Sequence, residues 1–377
     1  MSDSDEGFRR PVVEGPRDAS DAADAARFKR ICPGVRVVAP RVEPGASVHP
    51  FFGRNVSVWR AWAADSETRD RGSSGGVLTA LSSWLIEQGI VEHARGVASD
   101  CSAPKRSVPV TITSRRQALA SAGSRYAPVA ALDGVELDAS TAVVAKPCEV
   151  AAARALSDDQ GGESPVMLSF FCAGTPSQKA TDSLVRKIGL EPDELTRLKY
   201  RGDGWPGFFT ATDTAGKTAA LSYSESWGSH LGRDLQMRCK LCVDGTGEAA
   251  DIAVGDFWDT DENGYPLFAE QDGESVAIAR TQRGHQLLLQ AAESGAVVLE
   301  ELDLDLVVPV QPLQVKRRRT LAGRLLGRRL AGYQVPKYQD YEIWSQLLVG
   351  GLVIWKTAAG TFLRSFKSRV KAGSPDR

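Results

Sequence analysis

The cysteine pair in RCKLCVDGTGEAADIAVGDFW, residues 238–258, constrains the fold of this chain more than any other feature. Cys239 and Cys242 are three positions apart and offer two thiolates. A tetrahedral metal site or an iron–sulfur cluster requires four ligands. If the pair binds a metal, the fold must therefore bring two further ligands to it from distant parts of the chain.

Strand and helix patterns alternate from about residue 75 onward and indicate an α/β fold. The sequence predicts helices at 77–87 (with Gly89 after it), 149–156 and 181–188, and strands at 142–145, 166–171, 251–254 and 276–280. The order strand, helix, strand, helix implies a βαβ unit with parallel strands. We expect a mixed, largely parallel sheet flanked by helices, with a helical C-terminal appendage beyond about Leu325.

Two further cysteines follow neighbouring strands of this predicted sheet. Cys148 comes just after the strand at 142–145, and Cys172 directly follows the strand at 166–171. Because the carboxyl ends of parallel strands meet at one edge of a sheet, both thiols should reach the same ligand-binding edge. The helix after Cys148 directs N–H groups and its positive dipole end toward that edge, and such surroundings favour thiolates.

The resulting four-sulfur set consists of Cys148, Cys172, Cys239 and Cys242. Its spacing leaves an iron–sulfur cluster, a zinc ion and no metal all open. Zinc ribbons usually combine two CxxC pairs, and the second pair is absent here, which shifts the balance slightly toward a cluster. Only Cys32 and Cys101 remain, far apart in sequence, so we expect one cluster and not two.

The loop in RDRGSSGGVLTAL is a second candidate site. Ser73, Ser74, Gly75 and Gly76 precede a predicted helix, so their N–H groups and hydroxyls suit a phosphate or the edge of a flavin ring. Arg71 adds a cation that can pair with a phosphate. An ordinary helix cap has the same composition and stays open as the alternative.

Composition and charge exclude several classes of protein. The chain has 377 residues and a formal net charge of -1, which gives no reason to expect a nucleic-acid partner. No apolar run reaches the roughly 18 residues of a membrane span, and the first 30 residues lack the apolar segment of a secretory signal. We therefore expect a cytoplasmic protein whose cysteines serve metal or redox chemistry and not disulfides.

The C-terminal segment has features of a surface-binding helix. Residues 316–329 contain seven basic residues and no acid, and they should attract an acidic partner. The apolar residues between Trp344 and Val370 alternate with cations as in an amphipathic helix. Such a helix either lies on a membrane surface, here the inner face, or packs on the protein's own core or on a partner.

Two short motifs allow both a functional and a structural interpretation. Arg201 and Trp205 in YRGDGWPG either contact a substrate or form a turn that packs on the core. Trp258 in GDFW has the same ambiguity, and Asp256 in the same motif is expected to orient the CxxC loop through backbone N–H groups. No spacing identifies a catalytic residue, so none is assigned.

Several stretches together resemble one family, the coenzyme F420 hydrogenase/dehydrogenase beta subunits, which also includes the 7-hydroxymethyl chlorophyll a reductases. The matching stretches occur in the family's order over roughly residues 50–300: RDRGSSGGVLTALSSWLIEQG, SAGSRYAPV, AKPCEVAAARAL, FFCAGTPS, YRGDGWPG, RCKLCVDGTGEAADIAVGDFW and GESVAIARTQRG. The resemblance implies an iron–sulfur flavoprotein in which FAD lies beside a 4Fe–4S cluster.

The resemblance also implies roles for individual residues. The cluster ligands would be Cys148, Cys172, Cys239 and Cys242. The flavin site would be formed by Arg71, Ser73, Ser74, Gly75, Gly76 and Thr79, with Ser124 and Tyr126 nearby. Lys146 stands where many members have threonine, and its cation either stabilises a reduced anionic flavin or is simply solvated.

The implied activity is exchange of electrons or hydride between FAD and coenzyme F420, a deazaflavin co-substrate, or a ferredoxin-type donor, with an unidentified substrate. The partner would be a small-molecule electron carrier or ferredoxin, and the basic segment could attract either one. A non-catalytic scaffold with a structural four-cysteine zinc site is the alternative function.

The domain boundaries follow from these features. We expect a disordered leader at 1–30 and a flavin-binding part at 31–135, with a degenerate ferredoxin-like remnant of which only ICPG is left. An iron–sulfur and flavin domain should cover 136–310. The basic segment and amphipathic tail form the rest, 311–377.

Overall fold

The computed structural model describes residues 1–12, 20–258, 267 and 272–372. The strands within these residues are β1 (Ser2–Asp3), β2 (Arg9–Arg10), β3 (Arg36–Val38), β4 (Ser47–His49), β5 (Gly53–Asn55), β6 (Ser57–Ala63), β7 (His93–Ser99), β8 (Ser107–Ile112), β9 (Thr141–Ala145), β10 (Val166–Phe170), β11 (Leu195–Lys199), β12 (Phe209–Asp213), β13 (Thr218–Leu221), β14 (Ile252–Asp256), β15 (Ser275–Ala279), β16 (Val297–Glu301) and β17 (Lys337–Gln339). The α-helices are α1 (Ser20–Ile31), α2 (Ser66–Arg71), α3 (Val77–Glu87), α4 (Arg115–Ala120), α5 (Pro147–Gln160), α6 (Gln178–Lys187), α7 (Met237–Lys240), α8 (Gln282–Glu293), α9 (Val307–Val310), α10 (Pro312–Leu330), α11 (Gln346–Val349) and α12 (Gly351–Ala372).

A mixed sheet forms the centre of the molecule. Its strand order, within the described residues, is β16-β6-β15-β14-β10-β9-β7-β8. The four strands β14, β10, β9 and β7 run parallel, and antiparallel strands extend the sheet on both sides. The predicted fold class, an α/β protein with a parallel sheet flanked by helices, is confirmed, and the antiparallel margins explain why the sheet is mixed.

The central strands β9, β10, β14 and β15 are buried on both faces, which is why they read as nearly continuous apolar runs. In β15, Ala277 and Ala279 pack into the core beneath α3 and α8, and Val276 and Ile278 pack into a second core on the opposite face. A separate antiparallel sheet of β11, β12 and β13 packs against α6 through its own apolar cluster. The loop between β11 and β12 carries the YRGDGWPG motif.

The predicted elements lie within a few residues of the observed ones. The helix at 77–87 is α3 with the predicted bounds, and the strand at 142–145 is β9, which begins one residue earlier. The helix predicted at 149–156 begins earlier, because Pro147 fits a first turn and the Glu149 carboxylate accepts a hydrogen bond from the Lys146 N–H at 3.1 Å.

The predicted disordered leader is wrong for the described part of residues 1–30. Residues 2–10 form the β1–β2 pair, and α1 covers Ser20–Ile31; residues 13–19 lie outside the described residues. Long-range contacts explain the error. Asp3 pairs with Arg106, and Asp159 of α5 forms ion pairs with Arg27 and Arg30 of α1. The Asp- and Ala-rich composition gives no sign of these partners.

The predicted helical C-terminal segment is confirmed as α10, α11 and α12, and it is tied to the rest of the chain. β17 pairs with β3 from the other end of the chain, and the Tyr338 hydroxyl donates to the Leu241 carbonyl beside Cys242. Most cations of the basic segment contact other parts of the chain. Arg318 pairs with Glu248 at 3.1 Å, and Arg328 stacks on Tyr333 at 3.4 Å from its ring centroid.

A buried carboxylate joins β10 to two helices. Asp251 has 2% of its side chain exposed and forms ion pairs with Arg154 of α5 at 3.2 Å and Arg283 of α8 at 2.5 Å. It also accepts a hydrogen bond from the Met167 N–H at 2.8 Å. Burial alone would raise the pKa of Asp251, but the two guanidinium groups lower the pKa below its usual value.

We expect Asp251→Asn to lower the free energy of unfolding near neutral pH by about 3 kcal/mol, because two guanidinium groups lose their buried anion. The stabilisation is present above the unfolded-state pKa of about 3.9 and is lost as the pH falls through the lower folded-state pKa. Urea unfolding as a function of pH should therefore show a steeper acid loss for the wild type than for the variant.

Asp159→Asn is the matched control, because this aspartate forms its two ion pairs on the surface. Surface pairs contribute little, so this variant should unfold much like the wild type. An equal loss of stability in both variants would contradict the assigned importance of Asp251.

Candidate functional site

A cavity of about 430 Å³ lies where the parallel strands end. Its lining includes Ala145 at the end of β9 and Lys146 after it, Phe171 and Cys172 after β10, and Asp256 at the end of β14. The carboxyl ends of parallel strands are the usual ligand-binding edge of α/β proteins. The volume falls in the ordinary range for small-molecule and cofactor sites.

The glycine–serine loop forms one wall of this cavity. Gly76 precedes α3 with φ of 71°, and a Cβ there would lie 2.5 Å from the Thr68 carbonyl oxygen, so only glycine fits without strain. The first turn of α3 therefore faces the cavity with N–H groups that have no partner within the helix. The Ser124 hydroxyl donates to the Ser73 hydroxyl at 2.8 Å and holds the loop to the opposite segment.

The structure brings most of the predicted flavin-site residues to this cavity. The residues that line it are Ser73, Ser74, Gly76, Thr79, Ser124, Tyr126 and Lys146. Arg71 and Gly75 are not part of the lining. Arg71 instead pairs with Glu67 at 3.0 Å and is half exposed, and the Gly75 N–H donates to the Ser275 hydroxyl at 3.0 Å.

Lys146 is held in place and is not simply solvated. Its ammonium lies 2.7 Å from the Glu149 carboxylate, and 15% of its side chain is exposed. Burial alone would lower the pKa of Lys146, but Glu149 and the neighbouring Cys148 raise it above its usual value. The lysine therefore remains a cation at the cavity wall.

The four cysteines of the predicted set come from three places in the chain to one neighbourhood. Cys148 lies in the first turn of α5, Cys172 follows β10, and the CxxC pair lies in and after α7. The thiol of Cys172 lies near enough to those of Cys239 and Cys242 to interact electrostatically with both. The N–H of Thr175 donates to the Cys239 sulfur at 3.4 Å.

The expected thiolate character is wrong for this arrangement of the thiols. Burial raises the pKa of Cys148, and burial together with the neighbouring thiols raises the pKa of Cys172 to about 12. Arg317 and Lys146 lower the pKa of Cys172, but they do not offset burial. The dipole of α5 is therefore too weak, by itself, to ionise these thiols.

The donor chemistry fits a four-cysteine metal site, because all six cysteines are free thiols and four of them are neighbours. The described part of the chain, however, has no group of three or more His, Cys, Asp or Glu side chains in metal-ligating geometry. Ligation would require these side chains to turn toward one another.

Helix α10 contacts the cysteine site directly, which the sequence did not indicate. Arg317 is buried and donates to the backbone carbonyls of Cys172 at 2.8 Å and Ala173 at 2.6 Å. Arg238, immediately before the CxxC motif, donates to the Pro33 carbonyl at 3.0 Å. The ICPG remnant therefore lies beside the CxxC pair, and two guanidinium groups flank the thiols.

The loop after the CxxC pair is organised by Asp244 and not by Asp256 as expected. The Asp244 carboxylate accepts hydrogen bonds from the N–H groups of Thr246 and Gly247 at 2.8 Å and of Glu248 at 2.9 Å. Asp256 instead pairs with Arg201 at 2.6 Å. Asp244 could have been noticed from its place in DGTGE, a typical turn sequence.

Arg201 is the main cavity residue whose role the sequence left open. Its side chain is 2% exposed, and its guanidinium lies 4.7 to 5.0 Å from the ring centroids of Trp205, Tyr223 and Trp258. Its Nη1 donates a hydrogen bond to the Asp256 carboxylate, and its Nε donates to the Pro206 carbonyl. The third, Nη2, has no hydrogen-bond partner among the described residues, and Arg201 lines the cavity. A buried, unpartnered donor there suits an oxygen of a bound molecule.

The two parts of one family model match consecutive segments of the chain. The coenzyme F420 hydrogenase/dehydrogenase beta subunit N-terminal part matches residues 58–136, and the C-terminal part matches residues 138–305. The glycine–serine loop, which forms one wall of the cavity, lies in the first segment. All four cysteines of the set lie in the second.

Curated relatives carry related names. The F420-dependent formate dehydrogenase 1 subunit beta of Methanococcus maripaludis is 26% identical over 242 residues, which cover 62% of this chain and 59% of that protein. The coenzyme F420 hydrogenase subunit beta of Methanothermobacter thermautotrophicus is 23% identical over 308 residues, 76% of this chain and 99% of that protein. The coenzyme F420-dependent sulfite reductase of Methanocaldococcus jannaschii is 24% identical over 270 residues, which cover 65% of this chain and 38% of that protein.

The match thus spans less than two thirds of the formate dehydrogenase subunit and of the sulfite reductase. A solved structure of a xenon derivative of the F420-reducing NiFe hydrogenase complex from Methanosarcina barkeri contains a chain with the same fold. The TM-score is 0.59 at 20% identity, over 78% of this chain and 99% of that one. With both parts of the family model matched in order, this chain belongs to the coenzyme F420 hydrogenase/dehydrogenase beta subunit family.

Proposed function

We propose that this chain is an iron–sulfur flavoprotein oxidoreductase that binds FAD in the cavity and a 4Fe–4S cluster through Cys148, Cys172, Cys239 and Cys242. In this proposal it passes electrons or hydride between FAD and coenzyme F420 or a ferredoxin-type donor. The observation that carries the proposal is that a single cavity is bordered both by the glycine–serine loop and by Cys172, whose thiol lies near those of Cys239 and Cys242. The names of the relatives support the oxidoreductase class.

The cavity wall offers complementary groups for the parts of a flavin. The N–H groups at the start of α3 and the hydroxyls of Ser73 and Thr79 suit a phosphate or the polar edge of the ring. Aromatic side chains such as Tyr126 and Trp227 suit the ring faces. A bound FAD would supply two-electron hydride chemistry, and a cluster would carry single electrons beside it.

Two cations of the cavity would interact with the charge of a reduced flavin. Lys146 keeps its proton because Glu149 holds it, and Arg201 keeps its charge because Asp256 raises its pKa against the effect of burial. Both groups therefore remain positive at any physiological pH. We infer that they orient the flavin and favour its anionic reduced form, with Arg201 Nη2 donating to a ring oxygen.

Arg317 and Arg238 would serve the cluster in a similar way. A cluster held by four thiolates carries negative charge, and buried negative charge requires nearby cations or donors. Arg238 lies close enough to Cys242 and Cys148 to interact with both electrostatically, and Arg317 holds the backbone of Cys172. Because both guanidinium groups are already in place, the burial that disfavours free thiolates would be offset when a metal binds.

The relatives named as beta subunits, and the solved complex, support a protein partner in addition to a small carrier. We propose that a partner protein delivers or removes electrons beside the CxxC pair, where residues 239 and 242 lie in and after the short helix α7. Coenzyme F420 would exchange hydride at the flavin itself. The substrate that is finally oxidised or reduced is not specified by the groups that line the cavity.

The cluster assignment predicts a specific loss of iron. Anaerobically reconstituted wild-type protein should contain about four iron atoms per chain and show a broad visible absorbance, as one four-cysteine cluster requires. Cys239→Ser and Cys242→Ser should each lose most of this iron, because three thiolates hold a cluster poorly. Iron and sulfide analysis with visible spectra measures both quantities.

Cys101→Ser is the matched control, because Cys101 is exposed and outside the set, and its iron content should stay at the wild-type level. About eight irons per chain would disprove the single cluster. A colourless protein that binds zinc at the same cysteines would support the structural zinc site instead.

The flavin assignment predicts a role for Arg201. Arg201→Gln should weaken FAD binding about tenfold or more, because it removes a charged donor from a buried site. Arg197→Gln, the same change at an exposed arginine of β11, should leave binding unchanged. Fluorescence titration of the deflavinated protein gives the Kd of each variant.

Arg201→Lys keeps the positive charge beside Asp256 and should bind FAD with intermediate affinity. Circular dichroism and thermal unfolding identify any variant that fails to fold. Unchanged FAD affinity in a folded Arg201→Gln variant would exclude this arginine from the flavin site.

A further inference from the structure

The C-terminal helices present an apolar surface that the proposed redox function does not use. The surface lies on α11, α12 and the residues just before them, and seven of the exposed apolar side chains there are Trp344, Leu348, Leu352, Trp355, Leu363, Phe366 and Val370, with the exposed Val353 to one side. We call this set the tail surface. Leu348 is 89% exposed and Leu352 is 76% exposed. Single exposed apolar residues are ordinary on a protein surface, whereas a contiguous exposed apolar patch marks an interaction site.

The opposite face of α12 already packs on the protein. Ile354, Ala358 and Ser365 are buried there against α10. A Cβ added at Gly323 would collide with the Ile354 carbonyl, and one added at Gly327 would collide with the Ala358 carbonyl. The two helices therefore approach closely through small residues, and this contact fixes which face of α12 points outward.

The tail surface follows the helical repeat on that outward face. Positions 352, 355, 363, 366 and 370 recur at intervals of three, four or eight residues, as one side of a helix requires. The buried positions 354, 358 and 365 lie on the other side. One face of the helix therefore packs on the core, which is one of the two interpretations from the sequence. The other face is left exposed, as the interpretation of a surface-binding helix requires.

The charge of the segment is uniformly positive. Between Glu342 and Ala372 the sequence contains no Asp or Glu, and its cations are Lys356, Arg364, Lys367, Arg369 and Lys371. Lys356 and Lys367 are both exposed and lie along the side of the apolar stripe. Exposed Trp and Phe beside lysine on a single helix face are typical of helices that lie in the interface of an anionic bilayer.

We propose that the tail surface docks this protein on an anionic lipid membrane, with α12 lying in the plane of the bilayer. Among the described residues no helix is both long enough and apolar enough to cross a membrane, so the contact is peripheral. A second copy of the chain is a poorer occupant, because its own cations would face these ones with no carboxylate on either helix to neutralise them.

Co-sedimentation of the full-length protein with vesicles tests the proposal. The wild type should bind vesicles of phosphatidylcholine with about a third phosphatidylglycerol and should bind pure phosphatidylcholine much more weakly. Lys356→Gln with Lys367→Gln should weaken binding to the anionic vesicles about thirtyfold, the effect of removing two cations near a charged surface. High salt should reduce wild-type binding in the same direction.

The apolar part of the contact needs its own variants. Leu352→Ser with Phe366→Ser should abolish sedimentation with anionic vesicles, because both side chains would lose their burial in lipid. Leu306→Ser, which changes another exposed leucine remote from α12 in sequence, is the control and should bind like the wild type. Iron and flavin contents should be unchanged in all of these variants, which separates this test from that of the redox site.

Three outcomes would overturn the proposal. Equal wild-type binding to neutral and anionic vesicles, or no binding to either, would do so. The third outcome is a wild type that does not bind vesicles but forms a concentration-dependent dimer, and a Leu352→Ser, Phe366→Ser double variant that does not dimerise. The tail surface would then be a protein interface. Light scattering of the same samples measures the dimer.

Discussion

The shared register of β9, β10 and β14 is the constraint on which the rest of the site depends. Ala145 pairs with Ser169, and Phe170 pairs with Val254, so the three strands end together. The Ser169 hydroxyl donates to the Ala145 carbonyl at 3.0 Å and reinforces this alignment. Because a slip of one residue turns every side chain of a strand to the other face, the same register decides whether the segments after β9 and β10 reach one cavity. The cysteine site and the cavity are neighbours for this reason.

Much of this arrangement is predictable from sequence because it follows from local patterns. The bounds of α3 and the positions of β9 and β10 follow from apolar spacing, and the placement of Cys148 and Cys172 at one edge of the sheet, both near Cys242, follows from the parallel order of their strands. Contacts between distant segments are not predictable in this way. The ion pairs of Asp159 with α1, and the hydrogen bonds of Arg317 to residues about 145 positions earlier, depend on the finished packing. Arg201 could be noticed in its motif, but its burial among three aromatic rings could not.

The thiols show how burial and local charge compete at such a site. A helix N-terminus stabilises an adjacent anion by about 1 kcal/mol, whereas removing a charge from water costs several times more. Burial therefore dominates at Cys148 and Cys172, and the pKa values of both thiols are raised despite Lys146 and Arg317. A metal would reverse this balance, since it replaces the thiol protons with a much larger positive charge. The surrounding guanidinium groups fit a negatively charged, metal-bound set of sulfur atoms.

Helix α10 connects the proposed redox site to the tail surface. Its first residues, Pro312 to Gln314, line the cavity, and one turn later Arg317 holds the carbonyls of Cys172 and Ala173. Its far half packs on α12 through Gly323 and Gly327, where no larger residue fits. A helix of 19 residues is about 28 Å long and has no hinge of its own unless its hydrogen-bond ladder is broken. Whatever surface binds α12 therefore fixes both the distance and the orientation of the cavity relative to that surface.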